Sequence, residues 1–480
     1  MNYAAIAFWV LIAWSTTAGA PAVLVLMLAS IPFASLALLP VSITGGLSIL
    51  PQSVFAVVLI AKVLIPQVLP LSARLVTALR LQHLGFLALF FLVGIVTTLI
   101  MPRLFSEEVV IIPMRENLAP DLLRPIQANF SQLGYVTLSV LTVFAVALTV
   151  PRPGFRRALL AGALAGGTVT VATGLIDFVA ASTGMSALLL PFRNANYAML
   201  THSEFAGVRR VVGFTPEASV YGPICVDFAA MIGMLRGLYE EGRQRILATV
   251  VAVSLVAMAL FSTSSTAYGG LAVLILAYGA NWIRRAIFSS PLGQDGLLSE
   301  LLVGLGASIA LLIVLLTHAG LLDPLLNVID ESIFRKQLTD SFVERSRWNM
   351  VAWDTVRSTW GLGIGFGSTR TSNWFAAIVS NTGILGAALM GVFLIQIFTK
   401  RPNSQSGLIA ELLSALKLSV LPALAMAAVD SPGSDFGIWM AVVFGAIAGV
   451  AAFAPSGAKS PQSSRHRSPK ASRRPLTLAG

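Results

Sequence analysis

Arginine and tryptophan recur together in one stretch of the chain, ERSRWNMVAWDTVRSTWGLGIGFGSTRTSNW, residues 344–374. It carries Arg345, Arg347, Arg357 and Arg370 beside Trp348, Trp353, Trp360 and Trp374, with glycines at 361, 363, 365 and 367. A guanidinium is planar, always charged and forked, so it meets phosphate oxygens two at a time. The chemistry such a stretch offers is the handling of an anion. From Asp323 to Arg370 six basic residues face six acidic ones, Asp323, Asp330, Glu331, Asp340, Glu344 and Asp354, so a solvated helix of self-paired charges is the plainer alternative. Asp354 and Arg357 have the spacing for such a pair. Arg347 beside Trp348, and Arg370 close to the next apolar helix, fit that alternative less well. The glycine run lacks the dinucleotide-binding spacing and its strand–turn–helix setting. Alternate glycines let a backbone turn sharply and approach other segments or a ligand closely.

A second group reads Arg209-Arg210-Val-Val-Gly213-Phe-Thr-Pro216-Glu217. Glu217 stands at the start of an apolar helix, where the helix dipole favours a carboxylate. Beside two arginines it could equally take a proton from a hydroxyl or orient one. Asp177, Asp227 and Lys62 lie within apolar spans, where charges are paired or functional. Asp177 is near a helix end, within reach of water. Asp227, about three turns into its helix, is the better partner for a buried arginine. Of the four histidines, His83, His202, His318 and His466, none has a second ligand at metal-binding spacing, so no metal is expected. His202 and His318 could each act as a base, a surface role being the plainer alternative. Residues Ser262 to Tyr268 form a serine- and threonine-rich cluster between two apolar runs, either a polar hairpin at the membrane surface or the lining of a polar path.

These side chains need a scaffold, and composition defines it. The 480 residues are 56% hydrophobic and 11% charged, against roughly a quarter charged in soluble domains. An all-α, polytopic membrane protein is therefore expected, since a β-barrel would show short alternating segments. Candidate spans fall near 4–19, 21–40, 51–70, 84–101, 129–150, 158–182, 217–236, 246–261, 267–283, 301–317, 373–398, 408–428 and 437–454, which gives about 12–14 crossings. The first lacks a basic leader and reads as a membrane helix. The single cysteine, Cys225, excludes an intrachain disulfide and a thiolate metal cluster. The net charge of +11 does not point to nucleic acid, because six of the basic residues lie in the tail after Pro455. Residues 1–454 form the membrane domain, with a large, partly helical loop at 318–372. Residues 455–480 form a disordered basic tail lying against anionic lipid. Basic clusters at Arg74, Arg152, Arg236, Arg284, Lys400 and the tail fall on one side of these spans, the cytoplasmic side by the positive-inside rule. Both arginine groups then lie on the opposite, non-cytoplasmic side.

On these residues the chain resembles the O-antigen ligase and polymerase superfamily of bacterial inner-membrane proteins. The resemblance covers roughly residues 205–390. It rests on Arg347-Trp348, the helix to Trp360, Gly363 to Gly367, Ser372-Asn373 and Gly383-Ile-Leu-Gly386, together with Arg210-x-x-Gly213-x-x-Pro216-Glu217 and the Ser262–Tyr268 cluster. It implies transfer of a glycan from a polyprenyl-diphosphate carrier to an acceptor sugar, without metal or other cofactor, in the inner membrane. Chain-length regulators and export proteins are the implied partners. Arg210 and Arg347 would offset charge on the leaving diphosphate, with Glu217 as base. Arg209, Arg345, Arg357, Arg370, Asn373 and Asp227 would bind substrate. Ser372 stands where the ligases usually carry a histidine, and Ser265 or Thr266 where that motif usually has an arginine. These departures favour a polymerase of exopolysaccharide or O-antigen type over a ligase. A lipid-linked-sugar flippase is the alternative from another class.

Overall fold

The computed structural model describes residues 3–40, 43–44, 48–68, 72–114, 119–196, 199–201, 204–205, 208–288, 297–298, 301–302, 304, 306, 340–402 and 406–453. Most of the expected span at 301–317, the charges between Asp323 and residue 339, His202, His318 and the basic tail lie outside these residues.

Long apolar runs leave a chain in lipid one economical solution, a helix that satisfies its own backbone. Among the described residues eight helices are long and apolar enough to cross a membrane. They are α3 (Pro51–Val68), α5 (Phe86–Leu104) with the π-turn before it, α6 (Gln127–Thr149), α7 (Phe155–Ser182), α9 (Arg243–Phe261), α10 (Ser265–Phe288), α12 (Trp374–Thr399) and α13 (Gly407–Ala427). Four more apolar helices are shorter: α1 (Tyr3–Thr17), α2 (Ala20–Ala29), α8 (Ala218–Met234) and α14 (Gly437–Phe453). The one-turn α4 (Ala73–Ala78) precedes the π-turn, and the polar α11 (Asp340–Ser358) precedes α12. The protein is an all-α polytopic membrane protein. Two antiparallel strand pairs, β1 (Val110–Ile111) with β2 (Asp121–Leu122) and β3 (Glu204–Phe205) with β4 (Val208–Arg209), sit in the connections.

The expected second span over 21–40 is cut short, because α2 stops at Ala29 just before Pro32, which cannot continue a helix. The segment that follows satisfies its backbone elsewhere: Ser35 N–H donates to Phe214 O (3.0 Å) and Ala37 N–H to Asn194 Oδ1 (2.8 Å). Non-helical backbone is tolerated in such a protein where other chain segments complete it. Lys62 likewise finds a local partner, donating to Thr16 O at the end of α1 (2.6 Å).

Helices approach closely where side chains vanish. A Cβ on Gly445 of α14 would stand 2.6 Å from Val143 O of α6, and one on Gly449 2.6 Å from Ala147 O. This small-xxx-small spacing lets two backbones touch where no hydrophobic effect drives helix pairing. Helix α7 packs between α2 and α8, and α13 between α8 and α10. All of these positions carry the polar segments to one end of the bundle.

Candidate functional site

Five segments meet at the end of the bundle where α7 and α13 finish and α8 and α12 begin. The first is the arm from Arg209 to Glu217, and its anchor is Asp177. The Asp177 carboxylate accepts from the Val212 and Gly213 amides (2.9 and 3.2 Å) and pairs with Arg193 at 2.7 Å. Arg193 also donates to Gly213 O (2.8 Å). Both side chains are buried, at 1% and 5% exposure, so this is a paired interior charge, with Arg193 Nε left without a partner among the described residues. The sequence-based expectation had Asp177 reaching water and Asp227 pairing an arginine. The structure corrects this. Asp177 is the paired carboxylate, because the 183–216 connection folds back over its helix end. Asp227 Oδ1 is buried with no hydrogen-bond partner among the described residues, and no described arginine pairs with it.

The second segment is the turn from α9 to α10, where Thr263 adopts φ +48°. Arg210 Nε donates to Thr263 Oγ1 (3.1 Å) and Ser262 O (3.3 Å), and its terminal nitrogen to Thr263 O (3.4 Å). The serine- and threonine-rich cluster is thus a polar hairpin that orients an arginine. Its Thr266 hydroxyl donates to Asp430 Oδ2 at 3.0 Å, which brings in the third segment, the turn from α13 to α14.

The fourth segment is α11. Trp348, Ala352 and Thr355 are its buried face, and Arg345 lies on the same side, pairing with Asp430 at 3.5 Å. Arg347 sits roughly 200° around the helix from Arg345 and is exposed. Arg357 is exposed too, paired with Asp354 at 2.9 Å in the i,i+3 geometry that the spacing allowed.

The fifth segment, residues 359–373, is woven into the bundle. Helix α12 breaks at Gly383 (φ +71°, ψ −177°), which frees the carbonyls of Ser380 and Asn381 to accept from Ile364 and Gly365 N–H (2.9 and 2.8 Å). Phe366 N–H donates to Thr98 Oγ1 and Asn129 Nδ2 to Phe366 O (2.9 and 2.8 Å). Gly365 and Gly367 have φ +85° and +75°, and a Cβ there would stand 2.7 Å from Thr98 Cα or 2.3 Å from Ala128 O. The glycine run therefore lets this segment press against backbone of α5 and α6. Its end is pinned by Arg370 N–H donating to Ile112 O (2.7 Å) and by Asn373, whose side chain caps α12 by accepting from Phe375 and Ala376 N–H (2.9 and 3.1 Å).

Arg370 is the residue this weaving delivers. Its guanidinium lies 4.6 Å from the centre of the Trp348 ring, a cation–π contact. Among the described residues its Nε is buried without a hydrogen-bond partner, as is one terminal nitrogen of Arg209. Burial lowers the pKa of Arg370, with Glu344, Glu217 and Asp430 opposing that shift and Arg345 adding to it. Burial also lowers Arg210, against the charges of Glu217 and Tyr268 and together with that of Arg345. Glu217 is therefore near both arginines. It occupies the N-cap of α8 in extended conformation, and its side chain makes no cap hydrogen bond.

The structure thus brings together Arg210, Glu217, Arg345 and Arg370, with Arg209 next in the chain, and leaves Arg347, Arg357 and Asp227 apart from them. Sequence reasoning missed Asp430 and Arg193. Neither had a motif around it, and a lone acid in a short turn is ordinary. Among the described residues no group of three histidines, cysteines or acids could hold a metal ion. What remains is two half-buried guanidinium groups, Arg210 and Arg370, that feel the charge of Glu217, with Arg345 nearby and paired to Asp430, an arrangement able to grip an anion and relay a proton beside it.

Fold and site together define a polytopic helical membrane protein with an arginine–carboxylate cluster at one end of its bundle. No protein-family model and no curated protein matches the chain.

Proposed function

We propose that the chain polymerises oligosaccharide repeat units carried on polyprenyl diphosphate, at the periplasmic face of a bacterial inner membrane. The observation that carries this reading is that the charge of Glu217 acts on both Arg210 and Arg370, next to the Arg345–Asp430 pair, and that Arg370 Nε has no hydrogen-bond partner among the described residues. A hydroxyl oxygen of the acceptor sugar attacks the anomeric carbon of the donor and forms the new glycosidic bond. The bond from that carbon to the diphosphate breaks, and the diphosphate leaves with the electron pair. The hydroxyl proton passes to Glu217, and the arginines offset the charge that grows on the leaving oxygen. Trp348 holds Arg370 in place for this. The half-buried setting strengthens each of these contacts relative to water.

The test is the size of the carrier-linked glycans in a strain lacking the protein. Single repeat units accumulating on the periplasmic leaflet are expected. Long chains left on the carrier would indicate a ligase, and single units held on the cytoplasmic leaflet a flippase. Either result would replace this reading.

A further inference from the structure

At the far end of the bundle from the arginine–carboxylate cluster lies a cavity of about 330 Å³ that the proposed activity does not use. Its walls come from the end of α6, the start of α7, the start of α13 and the end of α14. They fall into two kinds. Arg152, Arg156 and Arg157 form one, and Phe155, Leu412 and Val450 belong to the other. Phe155, Leu412 and Val450 are buried, whereas Arg156 and Arg157 are exposed at the mouth. Arg152 is half-buried. Its pKa is lowered by burial and by the charge of Arg74, so a fourth guanidinium stands close by.

Among the described residues no acid answers these charges. Among the described residues Arg152, Arg156 and Arg157 form no ion pair. Glu411, on α13, faces away: a Cβ on Gly237 would stand 2.6 Å from its Oε1, so the carboxylate points at the 236–238 turn. Glu241 pairs with Arg245 at 3.4 Å, and Glu240 accepts from Gln244 at 3.4 Å. Gly154, at φ +83°, is the N-cap of α7 and offers no side chain to cap it, so the first-turn amides add their partial positive charge to the same mouth. A cavity with a cationic rim and an apolar wall, open at the ends of apolar helices, has the polarity of one kind of molecule in particular.

We propose that this cavity seats an anionic phospholipid, its phosphate among Arg152, Arg156 and Arg157 and an acyl chain along Leu412 and Val450. Free phosphate satisfies the arginines and leaves the apolar wall wet, and a zwitterionic lipid covers the wall and brings its own cation to the rim. An anionic phospholipid satisfies both walls. The four helices it touches are those whose other ends carry Asn129, Asp177, Asp430 and the turn to α14, so a bound lipid braces the elements of the outer site without entering it.

The test uses the full chain purified in a neutral detergent. Lipid retained after exchange is measured by native mass spectrometry with phosphatidylglycerol and phosphatidylcholine offered in equal amounts, and thermal unfolding is followed with each lipid and with inorganic phosphate alone. Preferential retention of phosphatidylglycerol and stabilisation by it are expected, and R152A/R156A is expected to reduce that preference roughly ten-fold or more. Both arginines lie outside the core, and R243A, an exposed cation elsewhere on this face, serves as the control and is expected to leave the preference unchanged. Equal retention of the two lipids, an unchanged preference in R152A/R156A, an equal loss in R243A, or stabilisation by inorganic phosphate matching that by the lipid would each overturn the assignment.

Discussion

Arg370→Ala is expected to abolish long polymer while leaving the protein in the membrane at normal abundance. Its backbone N–H, not its side chain, holds the segment to Ile112, so removing the guanidinium spares the anchor. Loss of one preorganised donor aimed at developing charge costs about 10²–10³-fold in rate. Arg370→Lys is expected to recover little, because an ammonium lacks the planar fork that stacks on Trp348 and meets two oxygens. Arg210→Ala and Arg345→Ala are expected to behave like Arg370→Ala. Arg347→Ala and Arg357→Ala, both exposed, are expected to stay within a few-fold of wild type. Polymer length on a gel, normalised to membrane abundance, checks the whole set. Near-normal chains from Arg370→Ala, or a severe defect confined to Arg347→Ala, would show that the inward face of α11 is the wrong one.

The second large effect is structural. Asp177→Ala leaves Arg193 buried with no countercharge and strips two amides of the Arg209–Glu217 arm of their acceptor. Breaking one side of a buried ion pair costs about 3–5 kcal/mol, enough to reduce folded protein sharply. Arg193→Ala should cost less in backbone contacts, since the carboxylate keeps its two amide donors. The double variant is expected to be less destabilised than the sum of the singles, because each single strands the other's charge. Thermal unfolding of the purified proteins gives all three values. Strict additivity would mean the pair does not act as a unit.

Most of the fold was legible because lipid imposes a simple rule. An apolar run of adequate length becomes a helix, and the spans near 51–70, 129–150, 158–182 and 408–428 correspond to α3, α6, α7 and α13 within a few residues. The exception at 21–40 turns on Pro32, whose effect on α2 depends on tertiary acceptors for Ser35 and Ala37 that hydropathy cannot show. The site was legible in parts. Arginines 210, 345 and 370 stood out by type, and Glu217 by position. Which arginine of α11 faces inward depends on the register fixed by Trp348 and Ala352 against the bundle, and two arginines two residues apart look alike in a string. Asp430 acts through a contact 164 residues away in the chain, with Thr266, and Arg193 through partners 16 and 20 residues away across a folded-back connection, and such pairs leave no local pattern. The glycine run was read for its backbone freedom, and the partners it approaches, Thr98 and Ala128, became visible only in three dimensions.

The central claim is a reaction, and reconstitution tests it most directly. The purified protein in liposomes would be given polyprenyl-diphosphate-linked single repeat units as both donor and acceptor, and the products sized over time. A ladder extending by whole repeats, with release of polyprenyl diphosphate in step and none of either with Arg370→Ala, is the expected result. Repeat units that stay single in the presence of folded wild-type protein, or a ladder that Arg370→Ala makes equally well, would contradict it.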